Sequence, residues 1–104
     1  MIRTIEDIKA LCETALQKTS AQKAVVFGSW ARGTASPRSD LDILIVEKTD
    51  KPFFVRYTDF DDLYKCLDKY CLDLLIYTPK ELDSIRHRKF IRTVLEEGVV
   101  IYER

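Results

Sequence analysis

Residues 27–46 read FGSWARGTASPRSDLDILIV, and they combine a Gly-Ser pair, a polar turn and two aspartates separated by one residue. Apolar runs lie on both sides of the turn: KAVVFG ends at Gly28, and LDILIVE begins at Leu41. Short apolar runs bounded by glycine or by a polar turn are typical of buried strands. We therefore expect two strands, joined by a turn that carries the polar groups.

Helices and strands are predicted to alternate along the rest of the chain. Segments with an apolar residue every three or four positions predict helices, and short apolar runs predict strands. The first predicted helix runs from near Thr4 to near Ser20, the second lies between Lys51 and Tyr70, and the third starts at Thr78. The further strands are CLDLLIYT and VVIYER. Alternation of this kind favours an α/β (α+β) fold, with helices packed on a sheet of three to four strands. No repeat or linker divides the chain, so we expect one domain over residues 1–104.

Composition and charge exclude several classes of protein. The 104 residues contain 17 basic and 17 acidic side chains, so we expect no basic coat and no direct nucleic-acid binding. The first residues mix charges, and no apolar run is long enough to span a membrane, which predicts a cytoplasmic protein. Cys12, Cys66 and Cys71 lack a CxxC spacing and are expected to stay reduced, without a zinc site.

Two aspartates at the start of the second strand are the strongest candidates for chemistry. Asp40 and Asp42 are two residues apart and therefore point to the same side of a strand. Asp73 interrupts another predicted strand and is the natural third member, because neighbouring strands lie about 4.8 Å apart. Three carboxylates need positive charge beside them, and their hard oxygen atoms favour Mg²⁺ or Mn²⁺ over zinc. We expect a site for a metal-bound phosphate substrate.

The Gly-Ser pair supplies groups for the phosphates themselves. Gly28 has no side chain where a phosphate must approach the backbone, and Ser29 offers a hydroxyl beside a helix-start amide. The chain has neither the GxxxxGK[ST] pattern nor the GxGxxG pattern, so this is not a Walker loop or a Rossmann fingerprint.

Together these residues resemble the signature of the polymerase-β-like nucleotidyltransferases. Gly28 and Ser29 are followed, after ten residues, by Asp40 and Asp42, and the inner ARG and SDLD strengthen the likeness. In length the chain is similar to the minimal nucleotidyltransferase group (MNT), which retains only the catalytic domain. The resemblance implies a mixed sheet flanked by helices, with the Gly-Ser pair at the triphosphate, the two aspartates on two divalent ions, and Asp73 as the third carboxylate.

The resemblance also implies a partner. In the minimal group the acceptor is typically a small helical HEPN protein, often a ribonuclease toxin. The implied function is that of an antitoxin that transfers AMP from ATP to a tyrosine of a HEPN toxin encoded by a neighbouring gene, with two Mg²⁺ ions, or Mn²⁺, as cofactors. Two other interpretations stay open. One is a non-catalytic subunit that neutralises its partner by binding, and the other is a homodimeric transferase for small molecules.

Three residues of the motif have two interpretations each. Ser29 caps a helix or binds phosphate, and the two roles are compatible. Arg32 neutralises phosphate or pairs with a nearby acid. Trp30 stacks on a base or wedges the turn against the core.

Alternatives also exist for the acidic and basic groups. Asp40 and Asp42 could simply cap a strand. The other carboxylates that could replace Asp73 are Asp59, Asp61 and Asp62. One basic cluster either steers a nucleotide or forms a solvated helix face, and its members are Arg86, His87, Arg88, Lys89 and Arg92.

Overall fold

A computed structural model describes residues 4–36 and 38–104. Its elements, in chain order, are α1 (Ile5–Gln17), β1 (Ala21–Phe27), α2 (Ser29–Arg32), β2 (Leu41–Glu47), a 3₁₀ helix (Phe53–Phe60), α3 (Asp61–Cys66), β3 (Leu72–Tyr77), α4 (Pro79–Ile85), α5 (Lys89–Glu97) and β4 (Val99–Glu103). None of the described helices is long and apolar enough to cross a membrane.

The four strands form one mixed sheet in the order β3-β2-β1-β4. β1 runs antiparallel to both β2 and β4, whereas β2 and β3 are parallel. A parallel pair needs a long crossover, and the 3₁₀ helix and α3 provide it. The prediction of an α+β fold with a small mixed sheet of three to four strands flanked by helices is confirmed.

Helices cover the two faces of the sheet separately, because strand side chains alternate between faces. The first face packs against α1, the 3₁₀ helix and α3, and its core includes Ile8, Leu16, Val26, Ile43, Ile45, Phe60 and Leu63. The second face packs against α4 and α5, and its core includes Phe27, Leu44, Val46, Leu82, Ile91 and Val94. β2 is buried on both faces, which explains its continuous apolar sequence.

Two helices begin with the reciprocal bonds of a capping box. The Thr4 hydroxyl accepts the Asp7 amide at 3.2 Å, and the Asp7 carboxylate accepts the Thr4 amide at 3.3 Å. Thr78 and Glu81 form the same pair of bonds at 3.2 and 2.9 Å at the start of α4. Both starts agree with the sequence prediction.

The first helix is shorter than predicted. α1 ends at Gln17 rather than near Ser20. The Thr19 hydroxyl donates to the Leu16 carbonyl at 2.7 Å and accepts the Ala21 amide at 3.0 Å, so its side chain redirects the backbone into β1.

The segment from Lys51 to Tyr70 also differs from a single helix. It begins as the 3₁₀ helix and becomes α-helical only at Asp61, after Phe60 leaves helical geometry with φ −113° and ψ 23°. The Tyr57 hydroxyl donates to the Leu74 carbonyl at 2.9 Å, which ties the segment to the edge strand β3. Contacts made far away in the sequence therefore set the local geometry.

Candidate active site

An acidic edge, formed by Asp40, Asp42 and Asp73, lies where β2 and β3 begin. The two strands are parallel, and Asp42 and Asp73 are direct partners in their register. Asp40 lies immediately before β2, whose first amide, at Leu41, donates to the Cys71 carbonyl at 2.9 Å. The pairing of β2 with β3 therefore brings the motif aspartates and the third carboxylate to the same end of the sheet.

The acidic edge belongs to the face that carries α4 and α5. Asp42 lies on the same face of β2 as Leu44 and Val46, and it pairs with Phe27 on β1. The two helices cover the middle of this face, but Asp40 and Asp73 are exposed and Asp42 is half-buried. A ligand can therefore reach the carboxylates from solvent while the sheet holds their backbone in register.

The three carboxylates repel one another. Burial raises the pKa of Asp42, and the charges of Asp73 and Asp40 raise it further, whereas Arg32 lowers it. Like charges held together in this way favour binding of a cation.

Gly28 has a backbone conformation that only glycine adopts readily, with φ 74° and ψ −149°. A Cβ atom at this position would lie 2.5 Å from Oδ2 of Asp42. The absence of a side chain therefore lets the turn after β1 run directly beside the carboxylate. Ser29 follows as the first residue of α2, and its carbonyl accepts the Thr34 amide at 3.0 Å, which closes the turn.

Arg32 ends α2 and pairs with an acid, as one of its two sequence interpretations proposed. Its Nη1 lies 3.6 Å from Oε2 of Glu97, the last residue of α5. Both side chains are about half exposed, at 52% and 44%. A phosphate role for Arg32 is compatible with this pair and stays a prediction.

Trp30 packs against the core, in agreement with the wedge interpretation. It is partly buried, and its ring meets Tyr70 edge-on with 5.7 Å between ring centroids. Its Nε1 is buried and has no hydrogen-bond partner within the described part of the chain.

The alternatives to Asp73 lie elsewhere. Asp59 forms an ion pair with Lys51, and Asp61 and Asp62 occupy the first turn of α3. The five residues of the basic cluster are exposed, and Arg86, directly after α4, lies 3.5 Å from Asp83 of that helix. Such exposure is typical of a solvated helix face.

The sequence analysis missed several residues around the acidic edge. The hydroxyls of Tyr57 and Tyr64 have raised pKa values, mainly through burial and partly through the charge of Asp73. Glu97 was missed as the partner of Arg32. None of these residues stands in a motif, because helices far away in the chain bring them to the site.

The oxygen donors of the acidic edge suit a hard cation such as Mg²⁺. No three carboxylate, imidazole or thiol groups in residues 4–36 and 38–104 are arranged to hold a metal ion by themselves. Protein Mg²⁺ sites, however, commonly use one or two carboxylates and fill the remaining positions with water and substrate phosphates. The pair Asp40 and Asp42 meets that smaller requirement, with Asp73 beside it.

A family model described as "Nucleotidyltransferase domain" matches residues 8–101. The chain belongs to the nucleotidyltransferase domain family. It is therefore a nucleotidyltransferase, as the sequence predicted. Members of this family generally use divalent metals.

A relative from Methanocaldococcus jannaschii, provisionally named protein adenylyltransferase MJ0604, is 38% identical in an alignment of 85 residues that covers 78% of this chain and 78% of the relative. Solved structures share the fold. A toxin–antitoxin crystal structure with AMP-PNP has a TM-score of 0.65 at 20% identity, covering 92% of this chain and 73% of that one.

Two other solved structures have the same fold. A provisionally named nucleotidyltransferase from Sulfolobus solfataricus has a TM-score of 0.64 at 22% identity, covering 96% of this chain and 81% of that one. A mutant of the toxin–antitoxin pair MntA–HpeT, with two aspartates changed to glutamate, has a TM-score of 0.57 at 17% identity, covering 98% of this chain and 75% of that one.

Proposed function

We propose that this nucleotidyltransferase moves AMP from ATP to a tyrosine hydroxyl of a HEPN toxin and thereby acts as the antitoxin. The observation that carries the proposal is the register of the parallel strands, which sets Asp42 opposite Asp73 beside the Gly-Ser turn. The name of the M. jannaschii relative supports AMP and a protein acceptor. Two structural neighbours are toxin–antitoxin complexes, which supports the partner.

Each residue of the site has a proposed role. Gly28 and Ser29 receive the triphosphate at the turn, and Arg32 neutralises part of its charge. Asp40 and Asp42 hold the divalent metal, with Asp73 beside them to orient the acceptor hydroxyl and to help accept its proton. Two Mg²⁺ ions, or Mn²⁺ in their place, would activate that hydroxyl and stabilise the leaving pyrophosphate.

The nucleotidyltransferase family model matches residues 8–101, so we propose that residues 1–104 act as one minimal domain. We also propose that the protein is cytoplasmic. The acceptor is then supplied by the HEPN protein, either in a hetero-oligomer or beside a homodimer of this chain. The 17 basic and 17 acidic side chains cancel, so we expect no direct nucleic-acid binding.

A second candidate function is neutralisation by contact alone, without catalysis. The observation that favours it is that two structural neighbours are toxin–antitoxin complexes, which binding alone would also explain. In this case the nucleotide would regulate or stabilise the complex.

The experiment is incubation of the purified protein with its genomic HEPN neighbour, ATP and Mg²⁺, followed by intact mass spectrometry. The matched variant is Asp40→Asn/Asp42→Asn, which preserves side-chain size. We expect the neighbour to gain mass in units of AMP with the native protein and about 10³-fold more slowly with the variant.

Toxin activity is measured in the same samples. Loss of neutralisation by a variant that still binds the toxin supports catalysis. Unchanged neutralisation, with no mass gain on the neighbour, would establish the contact mechanism instead. Mass gain on a small molecule with no change in the neighbour would point to a small-molecule acceptor.

A further inference from the structure

Helix α5 contacts both ends of the segment from Phe27 to Arg32. The Phe90 ring meets the Phe27 ring edge-on, with 5.9 Å between centroids, and the Glu97 carboxylate reaches Arg32. Phe90 and Glu97 are seven residues apart, which is about two helical turns, so they lie on one stripe of α5. This stripe therefore flanks the whole turn from the end of β1 to the end of α2.

This arrangement restrains the Arg32 side chain and leaves N–H donors of its guanidinium available to a ligand. Its backbone amide donates to the Gly28 carbonyl at 3.1 Å, which fixes the base of the side chain on the turn. The guanidinium has five N–H donors in a planar fork, and its Nη1 lies 3.6 Å from the Glu97 carboxylate. With 52% of the side chain exposed, donors remain for another anion.

We propose that Glu97 is a positioning residue for nucleotide binding: it holds the Arg32 guanidinium beside the acidic edge, so that the remaining N–H groups meet the triphosphate. The inference rests on the proposed function, because it takes the Gly28–Ser29 turn as the triphosphate site. A long arginine side chain that is already placed loses less freedom when the ligand binds. No motif predicts this role, since Glu97 lies 65 residues after Arg32 in the chain.

The opposite role, competition of Glu97 with phosphate for the arginine, is less consistent with the geometry. The contact is long and half exposed, which makes it a weak ion pair. It restrains the direction of the side chain, but it does not withhold the arginine from a triphosphate.

The test measures the dissociation constant of a non-hydrolysable ATP analogue with Mg²⁺ by calorimetry. Glu97→Gln keeps the shape and removes the charge, Glu97→Asp retains the charge, and Glu96→Gln is the control on the neighbouring exposed position of the same helix. We expect Glu97→Gln to weaken binding about two- to five-fold. Glu97→Asp should recover part of the loss, and Glu96→Gln should bind as the native protein does.

A double-mutant cycle tests whether Glu97 affects nucleotide binding through Arg32. In an Arg32→Ala background, Glu97→Gln should cause no further loss of affinity, because its partner is gone. In turnover assays Glu97→Gln should raise KM for ATP and leave kcat unchanged. Thermal unfolding of each variant establishes that the fold is intact.

The outcomes separate this inference from the proposed function. Equal or tighter binding by Glu97→Gln, or an equal loss with and without Arg32, would overturn the positioning role alone. If the native protein does not bind the analogue, the proposed function is overturned and this inference with it.

Discussion

Charged groups are neutralised differently at the two ends of the parallel β2–β3 pair. At the acidic edge, Asp42 and Asp73 sit in register near solvent, and their mutual repulsion contributes to the raised pKa of Asp42. At the opposite end, the buried Arg56 donates to both carboxylate oxygens of Glu81, at 2.5 and 3.0 Å. One end leaves its charge to be neutralised by a ligand, whereas the other neutralises it within the fold.

Arg56 shows how completely a structural charge is satisfied. Its Nε donates to the Lys51 carbonyl at 2.8 Å, and its Nη1 donates to the Ile76 carbonyl at 3.2 Å, in addition to the pair with Glu81. Glu81 has its pKa lowered to about 2, first by the bond from Arg56 and then by the Thr78 amide. These bonds join the 3₁₀ helix to β3 and to the start of α4.

Replacement of Arg56 is the strongest test of this difference between the two ends of the strands. Arg56→Met removes four hydrogen bonds from a side chain that is 4% exposed, so we expect the free energy of unfolding to fall by about 3 kcal/mol. Affinity for ATP should not change, because the pair lies at the other end of the strands. Urea denaturation measures the loss, with Lys80→Met as an exposed control on α4. A loss no greater than that of the control would show that this end does not depend on its internal neutralisation.

The two glycines with positive φ should differ in how much stability is lost when each is replaced by alanine, and this expected difference is smaller and more local. Gly28→Ala should cost about 2–3 kcal/mol, because the backbone is in a glycine-only region and the new Cβ would displace the Asp42 carboxylate. Gly33→Ala has a similar φ of 75° but nothing within 4 Å of its Cβ, so about 1 kcal/mol is expected. Only the first variant should also lose affinity for nucleotide.

Urea denaturation and calorimetry of both glycine variants test this difference. Equal losses of stability, with unchanged nucleotide affinity in both, would mean that the close approach of Gly28 to Asp42 has no functional role.

The sequence predicted those features that depend on local chemistry. Thr78 and Glu81 have the spacing of a capping box, and the run LDILIVE has the continuous apolar character of a buried strand. The sequence also predicted the meeting of Asp42 and Asp73, because alternating elements favour neighbouring strands.

Features that depend on distant contacts could not be predicted. Arg56 appears as one more charge on a helix, yet it is buried by bonds to residues up to 25 positions away. Glu97 has no signal at all in the sequence, because its meeting with Arg32 depends on the path of α5 across the sheet. The same limit applies to the 3₁₀ geometry of Phe53–Phe60, which follows from packing on β3 rather than from its apolar spacing.

Glu47 provides the smallest test. It is a carboxyl at the internally neutralised end, and the nearby charge of Asp59 raises its pKa, as the neighbouring aspartates do for Asp42 at the acidic edge. It is 1% exposed, and burial raises its pKa from 4.5 to about 7, with a further rise from Asp59 and an opposing effect of Lys51 and Arg56. The folded protein therefore holds this proton more tightly than the unfolded chain does. The resulting stabilisation is complete below pH 4.5, declines as pH rises towards about 7, and is absent above that value.

Glu47→Gln, which cannot ionise, should remove this decline. From about pH 5 to about pH 8 the native protein should lose on the order of 1 kcal/mol of unfolding free energy that the variant keeps, as measured by urea denaturation across the range. Glu103→Gln, at a side chain that is 62% exposed, should retain the native slope. If the slopes of the native protein and Glu47→Gln coincide, Glu47 is ionised at no cost in the folded state. Lys51 and Arg56 would then neutralise a third carboxylate beyond Asp59 and Glu81, and the contrast between the two ends of the sheet would be greater still.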